Sequence, residues 1–204
     1  MNITTDSIAR KPVIFESILD EVPGGASLEV VSRLDYTTHN TNVDKRYLKA
    51  GAPVYFTEST RIAQVCKSAL AIDGGSATGL FVGKNHHFAV GEFINDGVTT
   101  GLISAIDTTT SDDYDIITVN TDLLYAEDTK YGQGTVTGAS TALLYSPNGL
   151  TRDDAFIGDG NADVAIVKMG TAREDALTYP INALYKIALR GGAAGAGTSL
   201  ITLV

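Results

Sequence analysis

The chain has 204 residues and a hydrophobic content of 44%, which is enough for a buried core and excludes wholesale disorder. Its formal net charge of −9 argues against nucleic acid as a partner, because an acidic surface repels the phosphate backbone. No stretch approaches the run of about 20 apolar residues that a membrane helix needs, so we expect no membrane partner.

The N-terminal residues predict an arm over 1–35, followed by a β-rich domain over 36–204. Within the arm, residues 16–22 could form one or two helical turns before Pro23, and residues 28–34 read as a strand. Such an arm packs either on another subunit or on the chain's own core, and the sequence leaves both alternatives open. The apolar residues of the arm that could make this contact are Ile3, Ile8, Val13, Ile14 and Phe15.

Short apolar segments separated by Gly and Asp turns fill the middle of the chain. They span residues 47–56, 62–72, 79–83, 88–94, 102–106 and 116–119. Short strands at nearly even intervals are typical of barrels and sandwiches. We therefore predict a mainly β fold, a small barrel or sandwich of short strands with one short C-terminal α-helix.

The last third of the chain predicts a strand over 142–145, a turn at Asn148-Gly149, a strand over 164–169 and a helix over 180–190. Pro180 suits the first helical position, and Gly191-Gly192 can end the helix in a left-handed cap. The predicted apolar face of the helix consists of Ile181, Leu184, Tyr185, Ala188 and Leu189. A linker over 191–197 leads to a terminal strand over 200–204, which we expect in the chain's own sheet rather than a neighbour's.

Motifs for catalysis, metals and cofactors are weak throughout. Residues 159–163 alternate oxygen-bearing side chains as a calcium loop does, but lack the later Gly and Glu, so a turn is favoured over a weak calcium site. Asp112, Asp113 and Asp115 receive the same interpretation. His86 and His87 are predicted on a surface turn. We expect no catalytic residue, metal site or cofactor, and no enzymatic activity.

The single cysteine, Cys66, cannot form an internal disulfide, and we expect it to be a small buried hydrophobic side chain. This cysteine content fits synthesis in a reducing cytoplasm. Residues 1–7 have neither a basic start nor an apolar run, so we expect no signal peptide.

Five short motifs carry a resemblance to a known group of proteins. They are residues 47–55 (YLKAGAPVY), 77–80 (ATGL), 148–151 (NGLT), 160–165 (GNADVA) and 179–182 (YPIN). On these motifs, residues 47–204 resemble the decoration and head-fibre proteins on the capsids of tailed bacteriophages, especially phages of gut Bacteroidetes. Residues 1–35 carry no part of the resemblance.

The resemblance implies a non-enzymatic virion protein that binds the outside of an assembled capsid and reinforces or decorates it. Its partner would be the major capsid protein, with self-association as a trimer favoured, and it would be made in the host bacterial cytoplasm. The capsid contact would use the arm residues named above or Leu200, Ile201 and Leu203 of the terminal strand. The alternative functions are a virion-displayed host-surface or glycan-binding module, which would need exposed aromatics, and a hydrolytic enzyme.

Overall fold

The computed structural model describes residues 14–29, 34, 46–139, 141–157, 160–191 and 200–204. It is mainly β, with 45% of the described residues in strands and 6% in helices, and its curled sheets form half-barrels. The predicted fold class is therefore confirmed. Ile3, Ile8 and Val13, residues 30–33 of one predicted strand, and Asp159 of the calcium-like loop lie outside the described residues.

Seventeen strands occur in the described part of the chain. They are β1 (Phe15–Glu21), β2 (Ala26–Leu28), β3 (Tyr47–Leu48), β4 (Pro53–Thr57), β5 (Ile62–Val65), β6 (Ser68–Leu70), β7 (Gly79–Gly83), β8 (Phe93–Asn95), β9 (Thr99–Asp107), β10 (Tyr114–Val119), β11 (Lys130–Gln133), β12 (Gly138–Ala139), β13 (Gly149–Thr151), β14 (Ala155–Phe156), β15 (Ala162–Val164), β16 (Ile166–Ala172) and β17 (Leu200–Leu203). A 3-10 turn, Glu174–Ala176, and the helix α1, Ala183–Leu189, separate the last two strands.

The larger sheet gathers strands from both ends of the chain. Its order is β1-β16-β13-β4-β5-β2-β15, and β17 also pairs with β16. The pairing of β17 with β16 is parallel, so the terminal strand joins the chain's own sheet, as expected. One face of this sheet covers a core that includes Leu28, Val54 and Ile166.

The smaller sheet curls until its two ends meet. Its order is β6-β11-β8-β9-β10-β7, with β12 on β9. Ala71, just after β6, forms a bridge with Val82 of β7, and Ile72 N donates to Phe81 O at 2.9 Å. The side chains inside the curl form a separate core that includes Leu80, Ile103 and Tyr131.

Helix α1 begins at Ala183, three residues after the predicted start at Pro180. The prediction of the first helical position was wrong, because Asn182 is the N-cap and its side-chain oxygen accepts from Tyr185 N at 2.8 Å. The predicted glycine end is observed, since Gly191 has a φ of 76°.

The hydroxyl of Tyr185 fastens this helix to the smaller sheet. It accepts from Gln133 N at 2.9 Å and donates to Lys67 O at 2.9 Å. The side chain is fully buried, and burial raises its pKa well above the usual value. Both bonds link α1 to β11 and to the residue before β6, so one hydroxyl holds three segments together.

Glu174 supplies a more exposed link between the same parts. Its carboxylate contacts Lys130 Nζ of β11 and lies 2.7 Å from Lys186 Nζ of α1. Burial alone would raise the pKa of this carboxyl, but the hydrogen bonds from Lys130 and Lys186 lower it overall. The ionised form is therefore favoured in the folded protein.

Three local predictions before the helix were wrong. Residues 16–22 do not form helical turns, because Phe15–Glu21 pairs with β16 along its length. Asn148-Gly149 is not a turn, since the Asn148 amide bonds to the backbone N and O of Phe56 and Gly149 begins β13. Residues 142–145 form only an isolated bridge, between Leu143 and Gly134.

Replacing Tyr185 by Phe should destabilise the fold by about 2 kcal/mol, because a buried N–H and a buried C=O lose their shared partner. Urea unfolding followed by circular dichroism measures this change. Tyr114→Phe is the matched control, since Tyr114 is half-buried and stacks on Phe81, and it should change stability by no more than about 0.5 kcal/mol. Equal effects of the two substitutions would contradict the role given to Tyr185.

Replacing Glu174 by Gln should lower stability at neutral pH by about 0.5 kcal/mol, since the carboxylate is partly exposed and screened. A lowered folded-state pKa gives stability that is present above the ordinary carboxyl pKa and lost as the pH falls through the folded value. The difference between Glu174→Gln and the unmodified protein should therefore shrink on acidification. Thermal unfolding across a pH series checks this, and a gap that widens in acid would refute it.

Candidate functional site

Strand β1 presents an exposed edge of the larger sheet. Residues 16–20 are all exposed, and Ile18 and Leu19 are 41% and 75% exposed. Among the described residues, no other strand pairs with the outer side of β1. An exposed edge with apolar side chains is a site for pairing with another chain. We call residues 16–20 the β1 edge.

The start of β1 is firmly held although its middle is exposed. Phe15 packs against the core beneath β17 and α1, and Arg173 N donates to Ile14 O at 2.8 Å. At Gly170 a Cβ atom would collide with Ser17 O, so only glycine lets β1 approach β16 this closely. The pairing register shifts at three places along β1, which marks bulges.

A groove of about 570 Å³ adjoins the point where the chain enters β1. Ile14 and Phe15 line its apolar part, while Lys49, Arg152 and Asp154 supply charge. Arg152 also binds Glu21 of β1, with Nη1 3.0 Å from Oε2. The hydrogen bond to Asp153, and to a smaller extent the one to Glu21, raises the pKa of the Arg152 guanidinium.

Two aromatic rings stand beside this groove. Tyr47 and Phe156 are 41% and 42% exposed and meet edge to face, with centroids 5.1 Å apart. Lys49 Nζ lies 5.5 Å from the centre of the Tyr47 ring and 3.4 Å from Asp154 Oδ2. Exposed rings next to fixed charges form a surface on which a polar ring-shaped ligand can stack.

The described parts of both segments predicted to contact a capsid lie against β16. Phe15 and Leu203 are each paired with Ala172 in the sheet register, from opposite sides of the strand. Ile201 and Leu203 are buried in the chain's own core, whereas Leu200 is 54% exposed. Ile14 and Phe15 are half-buried, so Leu200 is the most exposed of the predicted capsid-contact residues that the structure describes.

A second candidate site is buried at one end of the smaller sheet. Lys84 Nζ lies 2.8 Å from Asp115 Oδ1, and His86 Nε2 lies 2.9 Å from Asp115 Oδ2. The side chains of Lys84, His86 and Asp115 are 2%, 1% and 0% exposed. We call these three residues the Lys84–Asp115–His86 cluster.

The surface turn predicted for the histidines was therefore wrong, and so was the turn predicted at Asp115. His86 continues the inward alternation of Leu80, Val82 and Lys84, and Asp115 continues that of Ile117 on β10. This period of two was the sequence signal for the cluster. His87 is also buried, with Nε2 3.3 Å from the hydroxyl of Tyr179.

The hydrogen bonds of His86 assign its tautomer. Its Nδ1 accepts from Phe88 N at 3.1 Å, so the ring proton lies on Nε2 and is donated to Asp115. Lys84 Nζ also donates to Thr108 O at 2.8 Å. With both ring nitrogens engaged, His86 is placed to donate to the Asp115 carboxyl rather than to act as a base on an outside substrate.

Cys66 is buried, as predicted, and burial raises its thiol pKa well above the usual value. Within the described ranges, no group of three or more His, Cys, Asp or Glu side chains could hold a metal ion. None of the described helices has the length and apolar character needed to cross a bilayer.

Comparison of the chain with protein-family models, with curated proteins and with solved structures finds no match. The resemblance to phage decoration proteins thus stays a prediction.

Replacing Gly170 by Ala should push β1 away from β16 and destabilise the fold by about 2 kcal/mol, because the new methyl group meets backbone atoms that cannot rotate away. Hydrogen exchange followed by mass spectrometry should show the largest loss of protection in β1. Thr171→Ala, on the same strand, is the control and should leave β1 protected. Unchanged exchange of β1 in the Gly170→Ala protein would contradict the packing described here.

Proposed function

We propose that this chain is a non-enzymatic structural protein of a tailed-bacteriophage virion, which binds the outside of the assembled capsid and decorates or reinforces it. The observation that carries the proposal is the β1 edge, which exposes Ile18 and Leu19 within the predicted N-terminal arm. The β-rich fold and the resemblance of residues 47–204 support the same reading.

The β1 edge suggests how such a protein would dock. Its outer backbone groups can pair with a strand of the major capsid protein, as in recognition by strand addition. Glu16 and Asp20 flank the apolar pair, so a capsid surface with an apolar pocket and basic neighbours is complementary. The bulges and charges would limit pairing with wrong partners.

The arm and the terminal strand have different parts in this proposal. Ile3, Ile8 and Val13 would extend the contact beyond β1. Ile201 and Leu203 would act indirectly, by supporting β16 from the other side, because both are buried. Leu200 would be the one apolar residue of β17 that reaches a partner, together with the neighbouring Val204 at 59% exposure.

Replacing Leu19 by Lys should weaken capsid binding at least tenfold, or about 1.4 kcal/mol, because it removes the most exposed apolar side chain of the β1 edge. Co-sedimentation with capsids assembled from the major capsid protein measures this. Val98→Lys is the matched control, since Val98 is 66% exposed in the turn between β8 and β9, and it should bind normally.

A second variant for the same co-sedimentation assay lacks residues 1–13. The deletion keeps Ile14 and Phe15, because Phe15 packs in the core. We expect weaker binding with an unchanged thermal transition. If both the shortened chain and the Leu19→Lys protein sediment with capsids like the unmodified protein, the docking proposal is rejected.

The proposal also includes self-association. The protein would be made in the host bacterial cytoplasm and would form a trimer before it binds the capsid. Light scattering of the purified protein should give the mass of three chains, in line with the preference of oligomers for closed symmetry. A monomer at all concentrations tested would remove this part of the proposal and leave capsid binding to be judged by co-sedimentation.

The exposed Tyr47–Phe156 pair favours one alternative, a virion-displayed module that binds a host surface glycan. Aromatic rings can stack on sugar faces while Lys49 and Asp154 bond to hydroxyl groups. A glycan array with the unmodified protein and with Phe156→Ala separates the two functions. Binding that is lost in Phe156→Ala would support the alternative.

A further inference from the structure

We propose that Lys84 and Asp115 join through an intramolecular amide bond between Lys84 Nζ and Asp115 Cγ, formed with loss of water. This covalent link is independent of the proposed function, since it concerns the interior of the smaller sheet and no outside partner.

The two side chains start in contact on neighbouring strands. Gly83 of β7 pairs with Tyr114 of β10, and Val82 pairs with Asp115, so Lys84 lies diagonally across from Asp115 on the inward face. Lys84 Nζ is 2.8 Å from Asp115 Oδ1. A reacting pair held this close needs little further ordering.

Burial favours the neutral product over the ion pair. The side chains of Lys84 and Asp115 are 2% and 0% exposed, so both charges have lost their hydration. In water that hydration opposes condensation of an amine with a carboxylate. Inside the protein, transfer of one proton from the ammonium to Oδ1 gives an uncharged amine and an uncharged acid, which can react.

The step balances without any further reactant. The nitrogen lone pair attacks Cγ and forms the N–C bond, while the electron pair of the Cγ–Oδ2 double bond moves onto Oδ2. His86 Nε2–H, 2.9 Å from Oδ2, donates to the developing negative charge. A second proton passes from the nitrogen to Oδ1, the Cγ–Oδ1 bond breaks, and Oδ1 leaves as water while the carbonyl reforms.

The surroundings already suit the product. A secondary amide has one N–H, and Lys84 Nζ is 2.8 Å from Thr108 O, which can accept it. The amide carbonyl oxygen, formerly Oδ2, keeps the bond from His86. Both polar groups of the new amide would thus be paired in the buried site, as stability requires. His86 serves as a positioning and charge-stabilising residue.

A second buried lysine, Lys67, shows that burial of the carboxylate distinguishes the pair expected to condense from an ordinary ion pair. Lys67 Nζ lies 2.5 Å from Glu92 Oε1, and its side chain is also 2% exposed. The Glu92 side chain, however, is 23% exposed, so water can solvate its carboxylate. We expect this pair to remain an ion pair, and it serves as an internal control in the same molecule.

The test is mass spectrometry of the full chain after expression and complete denaturation. Trypsin cleaves after unmodified lysine, and residues 68–130 contain no Lys or Arg other than Lys84 and Lys130. The linked protein should give peptide 68–130 intact and lighter by one water, while cleavage after Lys67 proceeds normally. Chymotryptic cleavage after Phe88 and Phe93 should leave the fragment that contains Lys84 joined to the fragment that contains Asp115.

The matched control is Lys84→Arg, which keeps the positive charge but lacks the amine that condenses in this reaction. Its mass should equal that of its sequence. Loss of water in Lys84→Arg would place the reaction elsewhere, for example at the Asp-Gly pairs 73–74, 96–97 or 159–160, and would overturn the proposal. Recovery of free peptides 68–84 and 85–130 from the unmodified protein would overturn it as well, whether or not any variant folds.

Discussion

Strand β16 is the constraint on which the larger sheet depends. Its backbone pairs with β1 on one side and with β13 and β17 on the other, so it joins segments from the beginning, the later middle and the end of the chain. Because buried backbone groups must be bonded, β16 can take its place only when all three partners are present. Gly170 is the position where this crowding leaves no room for a side chain.

Much of the β architecture could be predicted from the sequence because its strands are short and bounded by turn residues. β7 has the predicted bounds, Gly79–Gly83, since glycines stand at both ends of a short apolar run. Helix α1 was predicted from its apolar face and its terminal glycine, but its start was missed. Asn182 competes with Pro180 as a helix signal, and its contact with Tyr185 N decides between them.

Other features could not be predicted because they arise from contacts distant in sequence. Phe15–Glu21 has the composition of a helical turn, and only its pairing with β16 makes it a strand. Asn148, followed by glycine, is typical of a turn in the sequence, but in the fold its side-chain amide bonds to the backbone of Phe56, 92 residues away in the chain. The Lys84–Asp115–His86 cluster was missed because charged residues suggest a surface, although the alternation with Leu80 and Val82 indicated the interior.

The two sheets also differ in how far apart in sequence their partners lie. The smaller sheet is built from residues 68–139, whereas β1 must find β16 across most of the chain. Closing long loops costs entropy before any contact is gained, so local sheets form faster than distant ones. During synthesis, the smaller sheet has all of its strands once residue 139 has emerged, and β1 must wait for β16. The β1 edge would then be exposed on both of its sides for that interval, which makes it the part of the nascent chain most in need of protection from other chains.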